Sequence, residues 1–337
     1  MLYVLVFPIV VIAVVLIYLA LQSGDIAVRR STVIRCAPEV AFDLVRDLRS
    51  WPDWSPWLLH EPDAVLTFSD AAAAERGWYA WDGKLIGAGR ITQVALHPLE
   101  RIEQRIEFKR PFKLTAAVSW EFAAIEEDGA PATRVYWLMR GRMPFLMRFI
   151  APTMSGLIGK DFELGLVRLR ARLEPGAPRL DLRFPGVAEL PAQNAWTIPF
   201  DGGKADIKPA MQEGFDRLLR AAAERGIEPV GAPFAAYHMG DPKSGRLRCD
   251  MALPVPAGAD PGEFAGKFFV GGPCQVTEVH GSYDFMELAW HAAMGHLRLS
   301  KRQWDRFRPA LEVYERGPDQ AASDDQLVTR ICMPTKG

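Results

Sequence analysis

The chain opens on an uninterrupted apolar run, residues 2–21, that contains no charged side chain. About 20 such residues are what a bilayer-spanning helix requires. After a Gln22-Ser23-Gly24 joint the pattern changes. Residues 28–34 predict a strand and 40–48 a helix entered through Pro38. Residues 64–68, 78–81, 87–95, 101–108, 114–122 and 133–140 predict a series of strands punctuated by Gly, Pro and Asp. Within 101–108, Ile102, Gln104, Ile106 and Phe108 alternate with Arg101, Glu103, Arg105 and Glu107, the pattern of an antiparallel sheet with one polar face. A long helix over 154–174 follows, carrying Ile158, Phe162, Leu166, Leu169 and Leu173 on one stripe. Gly156, Gly159 and Gly165 cost this helix propensity. They predict either a close approach to the sheet or room for a ligand.

Glu174-Pro175-Gly176-Ala177-Pro178 is a short stiff joint. Beyond it the spacing predicts a strand over 188–198 and an amphipathic helix over 208–225, with Met211, Phe215, Leu218, Leu219 and Ala222 on one stripe. A second helix carries Met286, Trp290, Met294 and Leu297. Residues 234–242 align with 311–319, each copy following a helix and preceding a strand that ends in Pro, at Pro254 and Pro334. The alignment pairs Tyr237 with Tyr314 but sets Ala235 opposite Glu312, so a duplicated unit carries one acid. In a strand over 311–315, Leu311 and Val313 share one face, Glu312 and Tyr314 the other. A carboxylate on a face destined for burial is costly unless it serves a purpose. The plainer alternative is an exposed residue at a sheet edge.

Charge adds an exclusion. The 337 residues carry 40 Lys and Arg against 41 Asp and Glu, a net charge of −1, and no basic patch suggests nucleic acid as a partner. Cys36, Cys249, Cys274 and Cys332 have neither CxxC nor metal-like spacing, and His280, His291 and His296 have no ligand-like partners. We expect no metal and no cofactor. His60 and His97, beside prolines, are expected to be exposed, and Lys160, Asp161 and Glu163 to form the solvated face of their helix. No basic residue precedes the apolar run and Ala20-Leu21-Gln22-Ser23 is a poor cleavage site, so residues 2–21 are expected to be an uncleaved single-pass anchor. Arg29, Arg30 and Arg35 behind it would hold the soluble domains on the cytoplasmic side.

Two resemblances bear on these elements. Arg29 to Ile34, Ala37-Pro38, Trp51, Trp54-Ser55-Pro56-Trp57, Tyr79 to Gly83, Gly87-Ala88-Gly89, Arg110-Pro111-Phe112 and Gly159 to Leu166 resemble the START-like SRPBCC family in its polyketide cyclase/dehydrase branch. That resemblance implies a helix grip, a curved antiparallel sheet around a long C-terminal helix enclosing a cavity for hydrophobic molecules. His280-Gly281-Ser282-Tyr283, Trp290, Glu312-Val313-Tyr314 and Ile331 to Pro334 resemble the GyrI-like family of small-molecule-binding domains, also called AraC effector-binding domains. It implies tandem strand-helix-strand-strand modules with the glutamate in an aromatic cleft. Ser282 stands where that family often has Pro, which is expected to loosen the turn.

The expectation is therefore an α+β chain with an anchor and joint over 1–24, a START-like domain over 25–174, a linker over 175–180 and a GyrI-like domain over 181–337. Ligand-binding candidates are Tyr237, Tyr283, Trp290, Glu312 and Tyr314. The expected function is membrane-anchored binding of hydrophobic small molecules, lipid- or polyketide-like in the first domain and apolar or cationic at Glu312. The alternative is hydrolysis of reactive apolar compounds, with Glu312 as general acid or base. Transcription regulation is set aside, because no helix-turn-helix pattern precedes residue 180.

Overall fold

The computed structural model describes residues 2–238 and 245–336, with the side chains of 2–6, 8 and 9 left aside. The last four residues of the first repeat copy, 239–242, lie outside the described residues. The chain divides into two compact units, Met1–Ala177 and Pro178–Gly337.

The first unit runs α1 (Leu2–Leu21), β1 (Asp25–Ile34), α2 (Pro38–Arg46), β2 (Val65–Phe68), β3 (Trp78–Asp82), β4 (Ala88–His97), β5 (Arg101–Arg110), β6 (Leu114–Glu127), β7 (Ala130–Arg142) and α3 (Ala151–Leu173). The strands form one antiparallel sheet in the order β1-β7-β6-β5-β4-β3-β2. Strand β7 therefore closes back onto β1, and α3 lies against β1. Between helix and sheet the rings of Trp120, Trp137 and Phe162 stack, with centroids 4.3 and 4.0 Å apart. Trp51 and Trp54 pack edge-on against them. Trp57 also packs edge-on, against Trp137 and Phe162, and donates its Nε1–H to Asp161 Oδ2 at 3.1 Å.

Several charged side chains differ from expectation in being paired or buried. Lys160 and Arg30 both pair with Glu163, at 2.8 and 2.7 Å. His60 is buried at 8% exposure rather than exposed.

The membrane anchor expected over residues 2–21 is corrected. Among the described residues no helix is long and apolar enough to cross a membrane. The end of α1 packs on the 3-10 turn Phe145–Ile150, with Leu19 buried. The single-pass membrane location, and the cytoplasmic orientation derived from it, lose their basis. The arginines that carried the orientation have folded partners: Arg29 with Glu121 at 3.5 Å, Arg30 with Glu163, and Arg35 with Asp128 at 2.8 Å.

The second unit runs β8 (Leu180–Leu190), β9 (Gln193–Gly203), α4 (Ile207–Glu224), β10 (Phe234–Tyr237), β11 (Arg246–Pro254), β12 (Ala265–Phe269), β13 (Gly272–Gly281), α5 (Met286–Leu299), β14 (Ala310–Arg316) and β15 (Val328–Pro334). The single strand expected over 188–198 is two strands, broken at Pro191, which has no N–H for a ladder. The sheet order is β12-β9-β11-β10-β14-β15-β13-β8. It has a local two-fold pattern in which β9-α4-β10-β11 matches β13-α5-β14-β15. The edge strand preceding each module pairs with the other one, β8 with β13 and β12 with β9. The pseudo-axis passes between β10 and β14, where Ala235 and Glu312 are direct antiparallel partners.

The glycines of α3 give a paired test. A Cβ on Gly165 would meet Trp137 Cζ3 at 2.7 Å and Pro56 Cδ at 3.1 Å, whereas one on Gly156 meets nothing within 4 Å. Trp137 is held by its stack and cannot yield. Gly165→Ala should therefore destabilise the first unit by about 1–3 kcal/mol through overpacking. Gly156→Ala should stabilise it by up to about 1 kcal/mol through helix propensity. Calorimetric melting of both variants checks the opposite signs.

Candidate functional site

Strand β14 lies inside the sheet, so Glu312 has neighbours on both sides, Ala235 of β10 and Ile331 of β15. It is 4% exposed, which removes the sheet-edge alternative. The period of two brings Tyr314 onto the same face, two residues along, and the register brings Tyr237 there from β10. Both hydroxyls donate to Glu312 Oε2, Tyr314 at 2.7 Å and Tyr237 at 3.1 Å. From α5, Trp290 donates its indole N–H to Oε1. Ala235, directly opposite the acid, leaves the space beside it open to these larger groups.

Rings build the walls. Tyr237 and Trp290 meet edge-to-face at 5.4 Å, Tyr283 and Tyr314 at 5.7 Å, and Phe215 of α4 and Tyr314 at 5.3 Å. Met211 of α4 places its Sδ 3.5 Å from the Tyr314 hydroxyl. Tyr283 is held by a turn that Ser282 caps, accepting from Asp284 N and donating to Asp324 Oδ2 at 2.7 Å. Ser282 thus ties the turn instead of loosening it. Tyr237, Tyr283, Trp290 and Tyr314 are each half-buried above a buried acid. Half-buried rings thus surround a buried carboxyl group.

The electrostatics follow from that placement. Burial pushes the Glu312 pKa above the ordinary carboxylate value, and the hydrogen bonds from Trp290, Tyr314 and Tyr237 pull it only part of the way back. Burial and then the field of Glu312 raise Tyr237 and Tyr314 well above the usual phenol value, and push Tyr283 up to about 12. Cys249, the cross-strand partner of Tyr237, is likewise pushed up to about 12 by burial and by Glu312, so it stays a thiol. Among the described residues no Lys, Arg or His pairs with Glu312, and no group of three or more His, Cys, Asp or Glu is placed to hold a metal ion.

All five candidate residues thus converge on one point. Sequence reasoning missed three further members. Helical spacing puts Met211 and Phe215 on a core stripe and nothing more, and Cys249 becomes a neighbour only once β10 and β11 are in register. It also missed Asp250, 2% exposed, whose Oδ2 is shared by His238 Nε2 at 2.8 Å and Lys267 Nζ at 2.7 Å. Asp250 is one residue from Cys249 and so faces the other side of the sheet, where it joins the edge strand β12 to β11.

Residues 25–174 match the family model described as polyketide cyclase / dehydrase and lipid transport. Among solved structures, SAV2435 bound to tetraphenylphosphonium is similar at 13% identity and a TM-score of 0.35, covering 45% of this chain and 93% of its own. The EcmrR C-terminal domain is similar at 15% identity and 0.36, covering 47% and 98%. CalU16 from Micromonospora echinospora is similar at 12% identity and 0.30, covering 45% and 85%. No curated protein matches the chain.

A pH-dependent stability test isolates Glu312. Its folded pKa is raised, so its contribution is fully present below the unfolded value near 4.5 and is lost as pH rises through the folded value. Glu312→Gln removes that loss. The melting temperature of the variant relative to the parent should therefore increase from about pH 4.5 upward and then level off. Paired thermal melts across pH measure this difference directly.

Proposed function

We propose that the chain is a binding protein for hydrophobic small molecules, with an apolar or cationic ligand taken at the Glu312 cleft of a GyrI-like second domain. One observation carries the reading: a buried acid that receives three neutral donors and no positive charge from the described chain. A carboxylate in that setting lacks a counter-charge, and a ligand cation would supply it. The surrounding ring faces suit a diffuse cation with apolar substituents, since both burial and the ring quadrupoles favour it. The paired modules on either side of Ala235 and Glu312 support the GyrI-like assignment. For residues 25–174 the family description supports a container for lipid- or polyketide-like molecules. Hydrolysis is the second reading, because a buried acid whose pKa is raised also suits proton transfer.

Tetraphenylphosphonium, a permanent hydrophobic cation, is the probe of choice, with triphenylphosphine oxide as a neutral control. Titration calorimetry should detect binding of the cation in preference to the neutral compound. Glu312→Gln should weaken the cation by about 2 kcal/mol, roughly thirtyfold in Kd, while leaving the neutral compound little changed. Equal affinity of variant and parent for the cation would remove Glu312 from the site. Mass spectrometry on a panel of esters and cyclic enones separates the second reading. Binding predicts retention without depletion, whereas depletion lost in Glu312→Gln would make the protein a hydrolase.

A further inference from the structure

The hydrogen bonds around Glu312 admit two proton arrangements. With the carboxylate ionised, Tyr314 and Tyr237 donate to Oε2 and Trp290 donates to Oε1. A neutral carboxylic acid has a proton of its own to donate, and Trp290 cannot receive it because an indole N–H is only a donor. A tyrosine hydroxyl can receive it. The Tyr314 oxygen, 2.7 Å from Oε2, would then turn its own hydrogen to another acceptor, and Met211 Sδ stands 3.5 Å away. A thioether is a weak acceptor, but it leaves no buried hydroxyl unpaired.

The groups that face Glu312 do not compete for this proton. Strand β10 presents Tyr237, β11 Cys249, β14 Tyr314 and the turn after β13 Tyr283. Helix α5 presents Trp290, α4 presents Met211 and Phe215, and β15 presents Ile331 and Thr329. Asp319 and Asp324 act on Tyr283 from beyond it. None of these groups is a cation, and the tyrosines and the thiol hold their protons more tightly than usual.

We propose that the empty cleft holds Glu312 as the neutral acid and that a hydrophobic cation enters by exchange for its proton. The carboxyl O–H bond breaks, the proton leaves to solvent, and the cation takes its place as counter-charge to the carboxylate. One positive charge leaves as one arrives, so the buried site never holds an uncompensated charge. The raised pKa of Glu312 agrees with this order of events. The inference rests on the reading of Glu312 as the ligand's partner.

Titration calorimetry of the full chain with tetraphenylphosphonium chloride, in buffers of different ionisation enthalpy, counts the protons. The expected result is about one proton released per cation bound, with affinity rising about tenfold per pH unit until it levels off above the folded pKa. Binding that releases no proton and has a flat pH profile overturns the exchange while leaving the binding site standing. No binding at any pH overturns both. Met211→Leu keeps an apolar side chain but removes the second acceptor, so the pH at which affinity levels off should move down. A midpoint that stays in place overturns the role given to Tyr314 and Met211. Residual binding to Glu312→Gln should release no proton, and release from that variant would place the exchanging group elsewhere.

Discussion

A carboxyl group at the centre of an eight-stranded sheet, beneath four partly exposed aromatic side chains and without a basic partner in the described chain, is the constraint on which the second unit turns. Once ionised, such a group costs stability. Ionised, it has lost most of its hydration, and three neutral hydrogen bonds do not replace it. Among the described residues none supplies a counter-charge, and on the proposed reading a ligand cation does so. The surrounding rings offer such a ligand area and ring faces rather than further hydrogen-bond partners.

Duplication builds this single site from two similar modules, and the asymmetry between them matters. The local axis passes between Ala235 and Glu312, which are direct cross-strand partners. Had both copies carried the acid, two carboxyl groups would face each other with Cβ atoms about 5 Å apart, a destabilising like-charge pair. Alanine in the first copy avoids that conflict and leaves room for Tyr237 and Trp290 to reach the acid. The helices then divide the work. Helix α5 supplies an indole donor, while α4 supplies Phe215 and the Met211 sulfur.

The shared face of Glu312 and Tyr314 is legible in the sequence, because a strand's period of two puts residues i and i+2 on one side. The repeat alignment likewise foreshadows the cross-strand relation of Ala235 to Glu312. What periodicity cannot supply is register between strands distant in sequence. Cys249 beneath Tyr237, and Asp250 between His238 and Lys267, emerge only when β10, β11 and β12 are set against their neighbours. The burial of His60 and the pairing of Glu163 with Arg30 escape the sequence pattern for the same reason. The apolar run at the start shows the limit in the other direction: its composition suggests a membrane span, whereas among the described residues no helix is long and apolar enough to cross a membrane, and the end of α1 packs on a neighbouring turn. Within the second unit, Pro191 splits the strand expected over 188–198 into two.

The central claim is that Glu312 waits as a neutral acid for a cation. The most direct measurement is the carboxyl carbon chemical shift of Glu312 against pH, recorded by nuclear magnetic resonance with and without tetraphenylphosphonium. The account predicts a midpoint above the ordinary carboxylate value in the empty protein and a fall in that midpoint when the cation is present. A midpoint at or below the ordinary value, unmoved by the cation, would contradict it.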